Sequence, residues 1–153
     1  VDRSRGLGDV YKRQLEYTVS HQRLLGYLAA LEEKQLEIAG DRIWNIPESS
    51  EDVAIIAVKE ALSSTPRPTV LLCMSDRIAL TALNEARKLN IRVPEDIRIV
   101  GFDGIDESRR SSPLLTTICQ HSENKGEMVA RYFIDQIEKK TVMPYTLQKG
   151  GSS

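Results

Sequence analysis

The sequence predicts an α/β domain: an open, mostly parallel sheet with helices on its faces. Three observations predict it. TVLLCM (69–74) and IRIVGF (97–102) are apolar at nearly every position, the pattern of strands buried on both faces. Stretches with helical spacing of apolar residues alternate with these strands along the chain. Both buried strands end in polar residues, Ser75–Asp76 after the first and Asp103 between Gly101 and Gly104 after the second. Right-handed crossovers place the carboxyl ends of parallel strands on one edge, where ligands of open α/β sheets bind.

The elements follow in order from Leu15. SHQRLLGYLAALEEKQ (20–35) reads as a helix with Ser20 as its cap and Leu24, Leu25, Leu28 and Leu31 at helical spacing. Gly26 in its middle implies close packing, because glycine there costs about 1 kcal/mol against alanine. A turn at Gly40–Asp41 leads to a short strand over 42–45. SSEDVAIIAVKEALSS (49–64) is a second helix, with Ser49 and Asp52 close to a capping box and Val53, Ile56, Ala57 and Ala61 on one face. After the strand 69–74, Ser75 or Asp76 caps a third helix. Its inner line is Ala79, Ala82, Leu83, Ala86 and Leu89, and Asn90 supplies the left-handed stop. VPED turns the chain into 97–102. LLTTICQ (114–120) is a further strand, and SENKGEMVARYFIDQIEKK (122–140) a last helix with Val129, Tyr132, Phe133 and Ile137 in line. The tail TVMPYTLQKGGSS reads as a short strand before a Gly/Ser end.

Composition bounds the function. The chain has 153 residues, 41% hydrophobic and 28% charged, which fits one soluble globular domain. A net charge of −1 argues against this segment itself being a nucleic-acid surface. It holds no run of 18 apolar residues that would span a membrane and no apolar signal core at its start. Cys73 and Cys119 give no disulfide framework and fit a reducing, cytoplasmic setting.

The first fourteen residues, VDRSRGLGDVYKRQ, show neither helix nor strand period. Gly6 and Gly8 lack the third glycine of a dinucleotide fingerprint. The segment reads as non-native or disordered, resembles a translated sequencing adapter, and starts without methionine. The expected organisation is therefore 1–14 outside the fold and 15–153 within it.

Asp103 offers two acceptors to a diol or a basic nitrogen. On pattern alone, a turn or cap role for it stands equally open. The two glycines beside it are expected to let backbone and ligand approach closely.

PTVLLCMSDRIALTALNEARKLNIRVPEDIRIVGFDGID resembles the C-terminal half of regulators of the lactose-repressor/galactose-repressor (LacI/GalR) family. Their pattern is a strand ending in N-D or S-D, a helix, V-P-x-D, and V-V-G-F-D. SSPLLTTICQ is similar to the family's P-x-L-T-T-[IV]-x-Q element, and SHQRLLGY to S-x-x-R-x-x-G-[YF]. The resemblance runs over 15–153 and rests on four motifs in the right order.

What the resemblance implies is a periplasmic-binding-protein-like effector domain, mostly one of its two lobes and incomplete. The DNA-binding helix-turn-helix is absent from this chain. Effector-contacting positions carried over by motif are Arg23, Ser75, Asp103 and Gln120. Arg23 supplies a planar fork of donors and Asp103 a pair of acceptors, a combination suited to vicinal hydroxyls. Dimer-interface positions are Ile78, Leu80 and Thr81 on the helix after S-D, with Ser108 and Ser111 in the loop after G-F-D. Ile78 is expected on the outer face of that helix. The implied partners are a small-molecule effector, by family default a sugar, a second copy of the chain, and operator DNA bound through the domain not in this chain. Neither cofactor nor metal is implied.

Trp44 has two open roles, stacking on a sugar or sitting in the core. VYKRQLEY (10–17) occupies the place of the lobe's central strand with poor strand character, so the sheet is expected to lack that strand and the chain to be marginally stable and a weak binder alone. Two competing readings are a periplasmic sugar-binding protein, which shares the cleft, and a metal-dependent phosphoryl-transfer enzyme using Asp76, Asp103 and Asp106. No P-loop, nucleophile elbow or Cys/His metal spacing supports catalysis.

Overall fold

The computed structural model describes residues 7–10, 18–36, 42–44, 46, 51–135 and 143–153. In chain order they form β1 (Leu7–Val10), α1 (Thr18–Glu33), β2 (Ile43–Trp44), α2 (Glu51–Ser63), β3 (Val70–Cys73), α3 (Asp76–Lys88), β4 (Arg98–Asp103), a 3₁₀ turn (Asp106–Arg110), β5 (Thr116–Cys119), α4 (Ser122–Asp135) and β6 (Thr146–Gln148). One sheet holds all six strands in the order β2-β1-β3-β4-β5-β6. The first five run parallel, and β6 closes the edge antiparallel to β5.

The expectation that no strand precedes Leu15 is corrected. β1 lies between β2 and β3 and pairs with both, Asp9 opposite Ile43 on one side and Leu72 on the other. Strand propensity is weak and set by context. Two flanking strands with open ladder groups supply that context for LGDV, because unpaired backbone groups between them would otherwise remain. The sheet's central position is therefore filled, and the rest of VYKRQLEY, 11–17, lies outside the described residues.

The core is continuous from α2 through the sheet to α3. It holds Trp44, Val58, Ala61, Leu62, Leu71, Cys73, Ala79, Ala82, Ala86, Ile97, Ile99 and Leu115, among others. Trp44 thus takes the core role rather than a ligand-stacking one. On α2 the buried line is Ala54, Ala57, Val58, Ala61 and Leu62, while Ile56 is 66% exposed, so the helix is rotated from the expected face. On α1, Leu24 and Leu31 are buried and Leu25 points outward. Gly26 meets nothing within 4 Å, so close packing does not explain it. The expected interior line of α4 ends at Ile137, which lies outside the described residues, and Val129 on it is exposed.

α3 is capped as expected, Ser75 accepting from the Ile78 N–H, and Asn90 takes a left-handed φ of 54° just beyond it. Ile78, expected outside, is buried in the core. α3 packs on β3 and β4 and also on α2, so it has neighbours on more than one side. Glu85, also buried, is paired to Lys88 at 2.6 Å and to Lys59 of α2 at 3.5 Å. The Lys88 hydrogen bond is the main reason its carboxyl titrates below the ordinary value, with burial opposing. In the turn before β4, Asp96 accepts from the Arg92 backbone and guanidinium, which lowers its carboxyl to about 2.

Cys73 and Cys119 are both buried thiols, not joined in a disulfide. No helix among the described residues is long and apolar enough to cross a membrane.

Candidate functional site

The carboxyl ends of β3, β4 and β5 converge with α1. Arg23, on the first helix, donates one guanidinium nitrogen to the Met74 carbonyl at the end of β3. The other reaches Asp103 Oδ1 at the end of β4, 3.0 Å away. Gln120, just past β5, donates Nε2 to the same oxygen at 2.6 Å. Lys125 of α4 donates to Gln120 Oε1 at 2.8 Å, which fixes the amide with its NH₂ toward Asp103. Three of the four sequence-predicted positions are thereby brought into one hydrogen-bonded group. Ser75 stands at the same strand end, but its hydroxyl is engaged in capping α3.

Asp103 is about one-third exposed, and the hydrogen bonds it accepts from Arg23 and Gln120 both fall on Oδ1, beside an arginine with donors to spare. Burial is the largest influence on the Asp103 carboxyl and raises it above the ordinary carboxylate value. The charge and hydrogen bond of Arg23 oppose that rise, Asp76 adds to it, and Gln120 opposes it.

This shift has a testable sign. Between the unfolded carboxylate value of about 4 and the raised folded value, the folded chain holds a proton that the unfolded chain has released. Stability is therefore expected to fall as pH rises through that window. Asp103→Asn is expected to flatten the fall in urea midpoints measured across it. Asp96 acts in the opposite sense and at lower pH: its contribution disappears as pH falls toward 2.

Asp103 has φ +123°, a region that non-glycine residues occupy at a cost of about 1–3 kcal/mol and that clusters at ligand sites. The two glycines beside it have other duties than expected. A Cβ at Gly101 would collide with the Asp76 carboxylate, and one at Gly104, φ +74°, would lie 2.7 Å from the Cys119 Cα. They serve the packing of α3 and β5 under the loop.

The sequence reading missed three contributors. Phe102 lies under the Arg23 guanidinium, 4.0 Å from its ring centroid, adding a cation–π contact that orients the fork. Its signal was available: β4 runs straight through Phe102 to Asp103. Lys125 gave no signal beyond helical position. A cavity of about 450 Å³ adjoins the cluster, lined by Phe102, Ile118, Gln120, Lys125 and the segment Met143–Tyr145. Its apolar wall comes partly from the far side of α4 in sequence, which no local motif announces.

The expected interface positions divide. Leu80, Thr81 and Ser111 are half-buried, and so reach the surface in part. Ile78 is buried, and Ser108 is wholly buried with its hydroxyl on the Ile105 carbonyl, so neither is presented to a partner by this fold. The 3₁₀ turn carries Ser108 inward because that hydroxyl closes the turn.

The metal alternative loses its geometry. Asp76 is fully buried and its oxygens accept from the Gly104 and Ile105 N–H groups and the Thr117 hydroxyl. Asp106 pairs with Arg109 at the surface. Among the described residues, no three acidic, His or Cys side chains gather as a metal site.

A family of periplasmic binding protein-like domains matches residues 8–153. The HTH-type transcriptional repressor PurR of Yersinia pestis bv. Antiqua is 34% identical over 136 residues, covering 88% of this chain and 39% of the repressor. The repressor of the same name from Escherichia fergusonii is 31% identical over 135 residues. A LacI-type transcription regulator from Bifidobacterium animalis subsp. lactis superposes with a TM-score of 0.81 at 25% identity, covering 97% of this chain and 59% of the regulator. The transcriptional regulator CelR in complex with cellobiose superposes with a TM-score of 0.82 at 25% identity, covering 99% and 47%. This chain spans 39% of the length of the curated relatives it matches.

Proposed function

Because this chain belongs to the periplasmic-binding-protein-like effector domains of LacI/GalR-type regulators, we propose that its parent is a transcriptional repressor controlled by a small metabolite. The metabolite binds at the cluster of Arg23, Asp103 and Gln120. The observation that carries this reading is the Arg23–Asp103 pair itself: a fork of donors 3.0 Å from Asp103 Oδ1, with the second carboxylate oxygen outside that contact, at the carboxyl edge of the sheet. Vicinal hydroxyls match that pair, and a cellobiose complex of a similar fold supports a sugar as effector. The adjoining cavity gives the ring an apolar wall.

Operator DNA is bound by a helix-turn-helix outside this chain, in the cytoplasm, by a homodimer. Within the dimer, Leu80, Thr81 and Ser111 stand at the outer surface of α3 and its neighbouring loop. An exported sugar-binding protein is the lesser reading, since the curated relatives are named as repressors.

The test is titration of the ¹⁵N-labelled chain with glucose and cellobiose. Shifts are expected at Arg23, Phe102, Asp103 and Gln120, with millimolar affinity because the second lobe is not part of this chain. Asp103→Ala removes a charged hydrogen-bonding group, a loss of about 2–3 kcal/mol, or about 100-fold in affinity. Shifts scattered over the surface, or binding indifferent to Asp103→Ala, would refute the reading.

A further inference from the structure

Asp76 carries a buried carboxylate that touches no solvent and, in the reading above, no effector. Its Oδ2 accepts from the backbone N–H groups of Gly104 at 2.8 Å and Ile105 at 2.9 Å. Its Oδ1 accepts from the Thr117 hydroxyl of β5. All three donors belong to the two strands and the loop that present Asp103 and Gln120. We propose that Asp76 is a positioning residue for the effector site, holding Asp103 in its left-handed conformation by gripping the two amides that follow it.

The mechanics run through the backbone. A residue at φ +123° relaxes unless its neighbours over-determine it. Ahead of Asp103, β4 is laddered to β5. At Asp103 itself, the carbonyl accepts from the Gln120 N–H at 3.2 Å. Beyond it, the Gly104 and Ile105 N–H groups are held by Asp76, and the Ile105 carbonyl accepts from the Ser108 N–H and hydroxyl. Gly101 belongs to the same device. A Cβ there would occupy the place of Asp76 Oδ1, so its missing side chain is the space in which the carboxylate sits. Three elements then move as one: α3 through Asp76, the loop after β4, and β5 through Thr117. This inference rests on the proposed effector site, but its test needs no effector.

The groups that face Asp103 are Arg23 from α1, Asp76 from α3 and Gln120 after β5, with Lys125 of α4 behind the glutamine. They let one experiment separate positioning from simple charge. The Asp103 side-chain carboxyl is followed by ¹³C NMR across pH in the whole chain and in Asp76→Asn. If Asp76 positions Asp103, the substitution loosens the contacts with Arg23 and Gln120. The titration midpoint then moves up by about one pH unit. If Asp76 acts only through its negative charge, removing that charge moves the midpoint down. Thr117→Val breaks the third hydrogen bond but leaves both amide bonds, so it is expected to destabilise the chain while the Asp103 midpoint stays put. A downward or absent shift in Asp76→Asn, or equal shifts in both variants, would overturn the proposal. Should Asp76→Asn fail to fold, amide exchange in the unaltered chain decides. Gly104 and Ile105 N–H groups slowed at least about a hundredfold against free peptide support the grip, and exchange at free-peptide rates refutes it.

Discussion

Removing Gly150–Ser153 is expected to lower the unfolding free energy of this chain by about 4 kcal/mol, although the segment has the composition of a flexible linker. The expectation follows from where the segment sits. Ser152 is wholly buried at the amino-terminal ends of β4 and β5, the end of the sheet opposite the Asp103 cluster. Its carbonyl accepts from Ile99 N–H at 2.7 Å and its own N–H donates to the Leu114 carbonyl at 3.2 Å. Its hydroxyl donates to the Ile99 carbonyl at 2.6 Å and accepts from Thr116 N–H at 2.8 Å. Ser153 and Gly150 add contacts to the Thr116 hydroxyl. The two strands are not yet laddered to each other there, since their register begins with Val100 opposite Thr116. Ser152 acts as the rung they lack. Each buried backbone group left without a partner costs about 1–3 kcal/mol, and partial access of water reduces the sum. A fall in melting temperature of about 10 °C follows for a chain of this size. Ser152→Ala, which removes only the hydroxyl, is expected to cost about 1–2 kcal/mol. A truncated chain melting within 2 °C of the intact one would show that the tail is a passenger.

That tail marks one boundary of what sequence can disclose. Continuous apolar runs announced β3 and β4 because a strand buried on both faces needs apolar residues at every position. The edge rule for parallel sheets then placed Ser75 and Asp103 at one end, and motif resemblance added Arg23 and Gln120. Ser152 offered no comparable signal, because a small polar side chain looks the same whether it faces water or replaces a ladder. β1 was missed for a related reason: LGDV forms a strand through its two neighbours, not through its own preferences.

Helix phase was the second limit. Apolar residues on α2 occur almost all the way round, so periodicity alone did not choose between the line through Ile56 and the line through Val58. Packing against the sheet and α3 chose the latter. Ile78 failed in the reverse direction. It lies off the expected apolar line of α3, yet it joins the core of a helix that packs on both the sheet and α2. Single-face reasoning suits a helix with one neighbour and misplaces residues on a helix with two. In the site itself, the sequence leaves Ser75 and Asp76 as equal candidates for the helix cap, and Ser75 takes that place. Asp76 has another role. Its actual partners lie 28 and 29 residues further along the chain, at a distance that no local pattern encodes.

Gly104→Ala is expected to be the most damaging conservative change near the site, at about 3 kcal/mol, while Gly26→Ala is expected to stabilise the same chain by about 1 kcal/mol. The chemistry of the two substitutions is identical, so the difference isolates the backbone. At Gly104 the new methyl would stand 2.6–2.7 Å from Cys119 Sγ, Cβ and Cα, and the Cα belongs to a strand that cannot give way without breaking its ladder to β4 and β6. The φ of +74° adds strain of its own. At Gly26 the methyl enters open space on an exposed helix turn, where it only narrows the freedom of the unfolded chain. Urea denaturation of both variants measures the pair. The Gly104 variant should also lose the Asp103–Arg23 contact, because relief of the clash displaces the loop whose first amide is held by Asp76. Its Asp103 carboxyl should then titrate higher than in the unaltered chain, whereas in Gly26→Ala it should not move. If both alanine variants lowered stability alike, the close approach of Gly104 to β5 would not be the constraint proposed for it.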